Sequence, residues 1–85
     1  MEKSVFTPEY RVLLDLLRSE RKRHGITQVV AAERLHLTQS FYSKCERGEH
    51  RLDVLELMHI CEVIGIDFME FMRQLRTALG WPAGG

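Results

Sequence analysis

The chain has no surplus of either charge, no long hydrophobic run and very little proline or cysteine, and each absence excludes something. Twelve Lys/Arg stand against twelve Asp/Glu in 85 residues, a balance that at first sight disfavours a nucleic-acid partner. No stretch reaches the roughly 18 uninterrupted apolar residues that would cross a membrane. The opening MEKSVFTPEYRVLLDLL is interrupted by Asp15, so it lacks the apolar block of a signal peptide, and a cytoplasmic protein is expected. There is no low-complexity tract, and 45% hydrophobic residues argue against disorder. Cys45 and Cys61 have no metal-ligand spacing and fall on apolar helix faces, where reduced cysteine behaves as a small hydrophobe. His24, His36, His50 and His59 make no metal-binding pattern either, so no metal is expected. No nucleophile–base arrangement, glycine-rich phosphate loop or paired carboxylate set is present. The chain reads as a non-enzyme with no cofactor and no small-molecule ligand.

What the chain does have is an uneven distribution of its charge. Residues 1–51 carry ten Lys/Arg and seven Asp/Glu, whereas residues 52–85 carry two and five. The first part is therefore basic and the second acidic. The length suits one domain with a single small core, spanning 1–85.

Start and stop signals divide that domain into five helices. Thr7 caps the first and Pro8 takes its first position, where a missing N–H costs nothing. Tyr10, Leu13, Leu14 and Leu17 form its apolar face, and Gly25 ends it after Arg21, Lys22 and Arg23. Thr27 caps a short second helix that runs to about Leu35, with Val30, Ala31 and Leu35 inward. Thr38 caps a third that ends at Gly48, of which only Tyr42 and Cys45 look inward. Asp53 with Glu56 and Asp67 with Glu70 make capping boxes for the last two helices. Val54, Leu57, Cys61 and Ile64 line one face of the fourth. The fifth, over 67–79, carries Phe68, Phe71, Met72, Leu75 and Leu79, and residues 80–85 form a flexible tail. No segment alternates as a strand would, so the fold is expected to be all-α.

Helices two and three are short and nearly abutting, which makes them cross steeply as a helix-turn-helix over 27–47. A recognition helix must bring small polar side chains from its first turns to base edges in the major groove. Gln39, Ser40, Ser43 and Lys44 lie outward on helix three and are candidates for base contact. Gln can pair bidentately with adenine, and Lys suits guanine. Phe41, beside them, could meet a thymine methyl.

The stretch GITQVVAAERLHLTQSFYSKCERGEHRLDVLELMHICEVIGIDFMEFM, within about residues 10–72, resembles the lambda-repressor and Cro class of XRE-type DNA-binding regulators. GITQ, AERL, TQS-x-x-SK-x-ERG and GID occur in that family's order and spacing. The resemblance implies a five-helix lambda-repressor-like domain. It also implies phosphate contacts from Thr27 and Gln28 at the start of helix two, where free amides can assist, and from Thr38 likewise. Arg47 and Arg51 are cationic candidates for the same role. Arg21 and Glu46 match positions that form a shielded ion pair between helices one and three in the family.

Three residues depart from the family pattern. His36 occupies a corner usually held by Gly, Ala31 stands where a larger aliphatic is common, and Tyr42 replaces Ile or Val. The last two imply a compensated repacking, and Tyr42 needs a partner for its hydroxyl. One such domain reads only a few base pairs, so a homodimer on an inverted-repeat operator is expected, with Met72, Leu75, Leu79 and Trp81 at the interface. The expected activity is regulation of transcription through double-stranded DNA, as a repressor. The alternative is an antitoxin-like or scaffolding protein-interaction module on the same fold.

Overall fold

The computed structural model describes residues 7–82; residues 83–85 of the tail expected at 80–85 lie outside the described residues. Among those described there are five helices and no strand. They are α1 (Pro8–Arg23), α2 (Gln28–Leu35), α3 (Gln39–Arg47), α4 (Val54–Ile64) and α5 (Phe68–Ala78). Each begins where a short polar side chain can take an unpaired amide of the first turn. Thr7, Thr27 and Thr38 accept from Tyr10, Val30 and Phe41 at 3.1–3.2 Å. Asp53 accepts from Glu56 at 2.7 Å, and Glu56 returns to the Asp53 amide to complete a capping box. The second box is only half made. Asp67 accepts from Glu70 at 2.9 Å, but the Glu70 carboxylate turns to Arg73 and Gln74.

The helices pack around one core: α2 on α3 and α4, α1 on α3 and α5, and α4 on α5. Leu17, Ala31, Tyr42 and Phe71 are wholly buried there. Ala31 and Tyr42 share the same cluster, so the small residue and the large one fill it between them. From α4 the buried set is Leu57, Ile60, Cys61 and Ile64, whereas Val54 is 61% exposed. Val54 is the first residue of α4, and the buried stripe starts only at the next turn. Cys45 and Cys61 are free and buried. Burial pushes both thiols up to about 11, so they are protonated at neutral pH. Among the described residues no helix is long and apolar enough to cross a membrane, and no cluster of His, Cys, Asp and Glu could hold a metal ion.

Candidate nucleic-acid interface

The corner between α2 and α3 is made by His36, whose φ of 59° and ψ of 39° are left-handed. Its amide bonds Glu33 O at 3.1 Å and the Leu37 amide bonds Ala32 O at 2.9 Å, closing α2 while reversing the chain. Thr38 then starts α3 without a linker to spare. In α3 the buried residues are Tyr42, Cys45 and Glu46, spaced i, i+3, i+4 on one face. The opposite face is exposed at Gln39, Ser40, Lys44 and Arg47, with Ser43 half-buried. The polar residues that the sequence offered for base contact thus lie together, and the apolar candidate, Phe41, is placed differently. Its ring sits 5.0 Å from that of His50 in the following loop and borders an apolar recess with Leu37 and Leu52. One face of Phe41 is therefore committed to the protein.

Beneath this surface, Glu46 is 4% exposed and all of its acceptor capacity is in use. Oε2 accepts from Arg21 Nε at 2.6 Å and from the Tyr42 hydroxyl at 2.7 Å. Oε1 accepts from Arg21 Nη2 at 3.0 Å and from Gln28 Nε2 at 2.9 Å. Burial pushes the Glu46 carboxyl up, but the hydrogen bonds from Arg21, Gln28 and Tyr42 outweigh it and hold the group below its usual value, so it is ionised. Burial, followed by that same carboxylate, drives the Tyr42 hydroxyl upward, so it stays a donor. Arg21 also donates to Ile26 O at 2.8 Å, tying the α1–α2 turn to the pair.

The network continues outward: Gln28 Oε1 accepts from Gln39 Nε2 at 3.0 Å. Gln28, the first residue of α2, and Gln39, the first of α3, therefore touch across the corner. The sequence offered both, but not their contact, nor that of Gln28 with Glu46. The available signal was positional, since a steep crossing of two short helices brings their starts near one another.

The cationic candidates are less open than their sequence positions imply. Arg47 donates to Glu49 Oε2 at 2.7 Å and to Ser43 Oγ at 2.6 Å, so its charge is shared within the chain. Arg51 lies over the Tyr10 ring, 4.7 Å from its centroid. Lys44 is exposed. Two arginines not singled out from the sequence, Arg11 and Arg18 of α1, border the same recess as Gln28 and Arg47. Thr27 and Thr38 are exposed beside the free amides of their helices.

On α5, Met72, Leu75, Leu79 and Trp81 line one shallow apolar recess of about 330 Å³, with Met69, Arg73 and Arg76 at its margins. Met69 is 65% and Trp81 54% exposed. Trp81 thus lies open, although its amide is bonded to Arg76 O at 3.0 Å.

Comparison with known proteins agrees with this fold. Residues 17–71 match the family described as Helix-turn-helix. The solved structure of an XRE-family like protein from Pseudomonas syringae pv. tomato is 46% identical, with a TM-score of 0.77, and the match covers 81% of this chain and 84% of that one. Among curated proteins, none matches.

Proposed function

The chain belongs to the XRE-type helix-turn-helix family of DNA-binding regulators, and from that premise we propose that it is a homodimeric repressor. In this reading α3 enters the major groove of an inverted-repeat operator, one copy per half-site. The observation that carries the reading is the joined start of α2 and α3, where Gln28 and Gln39 bond at 3.0 Å on an exposed surface. That arrangement lets one side chain meet a base edge while its neighbour meets a phosphate. Gln39, Ser40, Ser43 and Lys44 are the proposed base contacts, with Phe41 at their margin. Thr27, Gln28, Thr38, Arg47 and Arg51 are the proposed phosphate contacts, and the α5 recess is the proposed seat of the second subunit. Repression follows from occupancy, since a protein seated on an operator excludes others from the same base pairs.

The test is selection of bound duplexes from a random pool, with the Gln39→Ala/Lys44→Ala double variant alongside. An enriched inverted repeat that the folded variant no longer enriches is the expected result. If folded wild-type protein enriches nothing, and if its binding to DNA does not weaken with salt, the reading fails. A protein-interaction module would then be the better account.

A further inference from the structure

Arg47, the last residue of α3, is held from two sides. Gly48 follows with a φ of 85° and ends the helix in a tight reversal, in which the Glu49 amide bonds back to Lys44 O at 2.9 Å. That bond fixes the Glu49 backbone, and its carboxylate accepts from Arg47 Nε at 2.7 Å. One turn back along the helix, Ser43 Oγ accepts from Arg47 Nη1 at 2.6 Å. The guanidinium is thus folded along α3 and met by an anion of its own chain. The hydrogen bond from Arg47, with the nearby charge of Lys44, holds the Glu49 carboxyl below its usual value, so it is ionised. Arg47 and Glu49 border a recess of about 360 Å³ together with Arg11, Arg18, Gln28 and Glu46. Glu46 is buried and its oxygens are taken, whereas Glu49 is exposed.

We propose that this recess seats one DNA phosphate and that the Glu49 carboxylate holds the phosphate's place on Arg47 until a duplex arrives. The inference rests on the reading that Arg47 meets a phosphate, and deepens it. Carboxylate and phosphate both offer a guanidinium paired anionic oxygens, so they compete for one partner. The Arg47–Glu49 pair is exposed on both sides, and exposed pairs are weak. A duplex, with its dense row of phosphates, can therefore take the guanidinium over. Transfer of Arg47 also releases the Ser43 oxygen that it occupies, so a phosphate contact and a base contact are made in one movement. Because every duplex carries phosphates, Glu49 handicaps all DNA alike and lowers affinity without altering base preference.

Two measurements on the full chain test this. The first is a double-variant cycle of Glu49→Gln and Arg47→Ala, read as dissociation constants for the selected duplex and a random-sequence duplex at one salt concentration. Glu49→Gln is expected to tighten binding to both duplexes by the same factor, about two- to fivefold, as release of an exposed ion pair implies. In the Arg47→Ala background that gain should largely disappear. An equal gain in both backgrounds would mean that the carboxylate merely repels the duplex, and would overturn the inference, as would no gain at all. Failure of the underlying reading looks different: Arg47→Ala would then leave both affinity and its salt slope unchanged. The second measurement needs no DNA: proton exchange at Arg47 Nε, followed by NMR, should be slower in wild type than in Glu49→Gln. Equal rates would show that Glu49 does not hold Arg47 in solution and would sink the proposal whatever the binding data show.

Discussion

Arg21 of α1 and Glu46 of α3 meet in a two-pronged ion pair, Nε to Oε2 at 2.6 Å and Nη2 to Oε1 at 3.0 Å, with both side chains almost wholly out of solvent. Such a pair contributes little relative to a well-packed apolar pair, but breaking it strands a charge. Glu46→Ala leaves the Arg21 guanidinium, the Tyr42 hydroxyl and the Gln28 amide without an acceptor. The expected loss is about 3–5 kcal/mol of stability, a drop in melting temperature of more than about 10 °C for a domain this small. Thermal unfolding followed by circular dichroism measures it, and an unchanged midpoint would show that the pair does not hold α1 against α3.

The same carboxylate makes stability depend on pH. Burial raises the Glu46 pKa, but the hydrogen bonds from Arg21, Gln28 and Tyr42 more than reverse this, so it lies below the ordinary 4.5 in the folded chain. A group depressed in this way contributes stability that is present above its unfolded value and lost as pH falls through its folded value. The protein should therefore hold its stability from neutral pH down to about 4.5 and lose it below. Glu20, Glu49 and Glu56 are lowered too, but Glu20 and Glu49 are held by exposed arginines and Glu56 is half-exposed in its capping box, so Glu46 should dominate. Urea unfolding at a series of pH values, compared between wild type and Glu46→Gln, isolates the contribution. If the two slopes below pH about 4.5 coincide, another carboxylate is responsible.

Helix starts were legible because their causes are local. Thr7, Thr27, Thr38, Asp53 and Asp67 each cap a helix using atoms three residues away, and that spacing can be read from a string. Tyr42 and Cys45 on the inward face of α3 were legible for the same reason, but they are not alone there: Glu46 is buried beside them, and only the family resemblance pointed to it. What the string did not carry was the partner of each long side chain. Glu46 and Gln28 are 18 residues apart in the chain, and nothing at either position announces the other until the corner between α2 and α3 is built. Arg47 reads as a free cation by position, yet Glu49, two residues on, takes its guanidinium. Val54 fits the helical period of α4 but precedes the turn where the buried stripe begins, and periodicity alone does not say where a core stops.

His36 is the one described non-glycine residue with positive φ, at 59°. A side chain in this region meets its own following carbonyl, at a cost of roughly 1–2 kcal/mol that glycine avoids. Glycine surrenders part of that advantage through the greater freedom of its unfolded chain. His36→Gly is thus expected to stabilise the protein by up to about 1 kcal/mol, seen as a rise in denaturation midpoint with an unchanged denaturant slope. Base preference at the positions met by Gln39, Ser40, Ser43 and Lys44 should not alter, because none of these borders the recess that His36 shares with Arg34, Leu35, Phe41 and Val63. A fall in stability would mean that the His36 side chain contributes more in that recess than its backbone strain costs.

Trp81 separates dimerisation from folding more cleanly than its neighbours do. Leu75 and Leu79 are half-buried, so altering them disturbs the packing of α5 on its own chain, whereas Trp81 is 54% exposed. Large aromatic anchors carry a disproportionate share of interface energy. If the α5 recess seats a second copy, Trp81→Ala should raise the dimer dissociation constant by at least about tenfold while leaving the melting temperature of the monomer intact. Sedimentation equilibrium measures the first and thermal unfolding at low concentration the second. On DNA the variant should bind one half-site about as well as wild type but lose the added affinity of an inverted repeat, since that gain comes from linking two half-site contacts in one particle. Unchanged self-association in Trp81→Ala, with intact affinity for the inverted repeat, would place the dimer contact elsewhere. The exposed apolar residues of α4, Leu55 and Met58, would then be the next surface to alter.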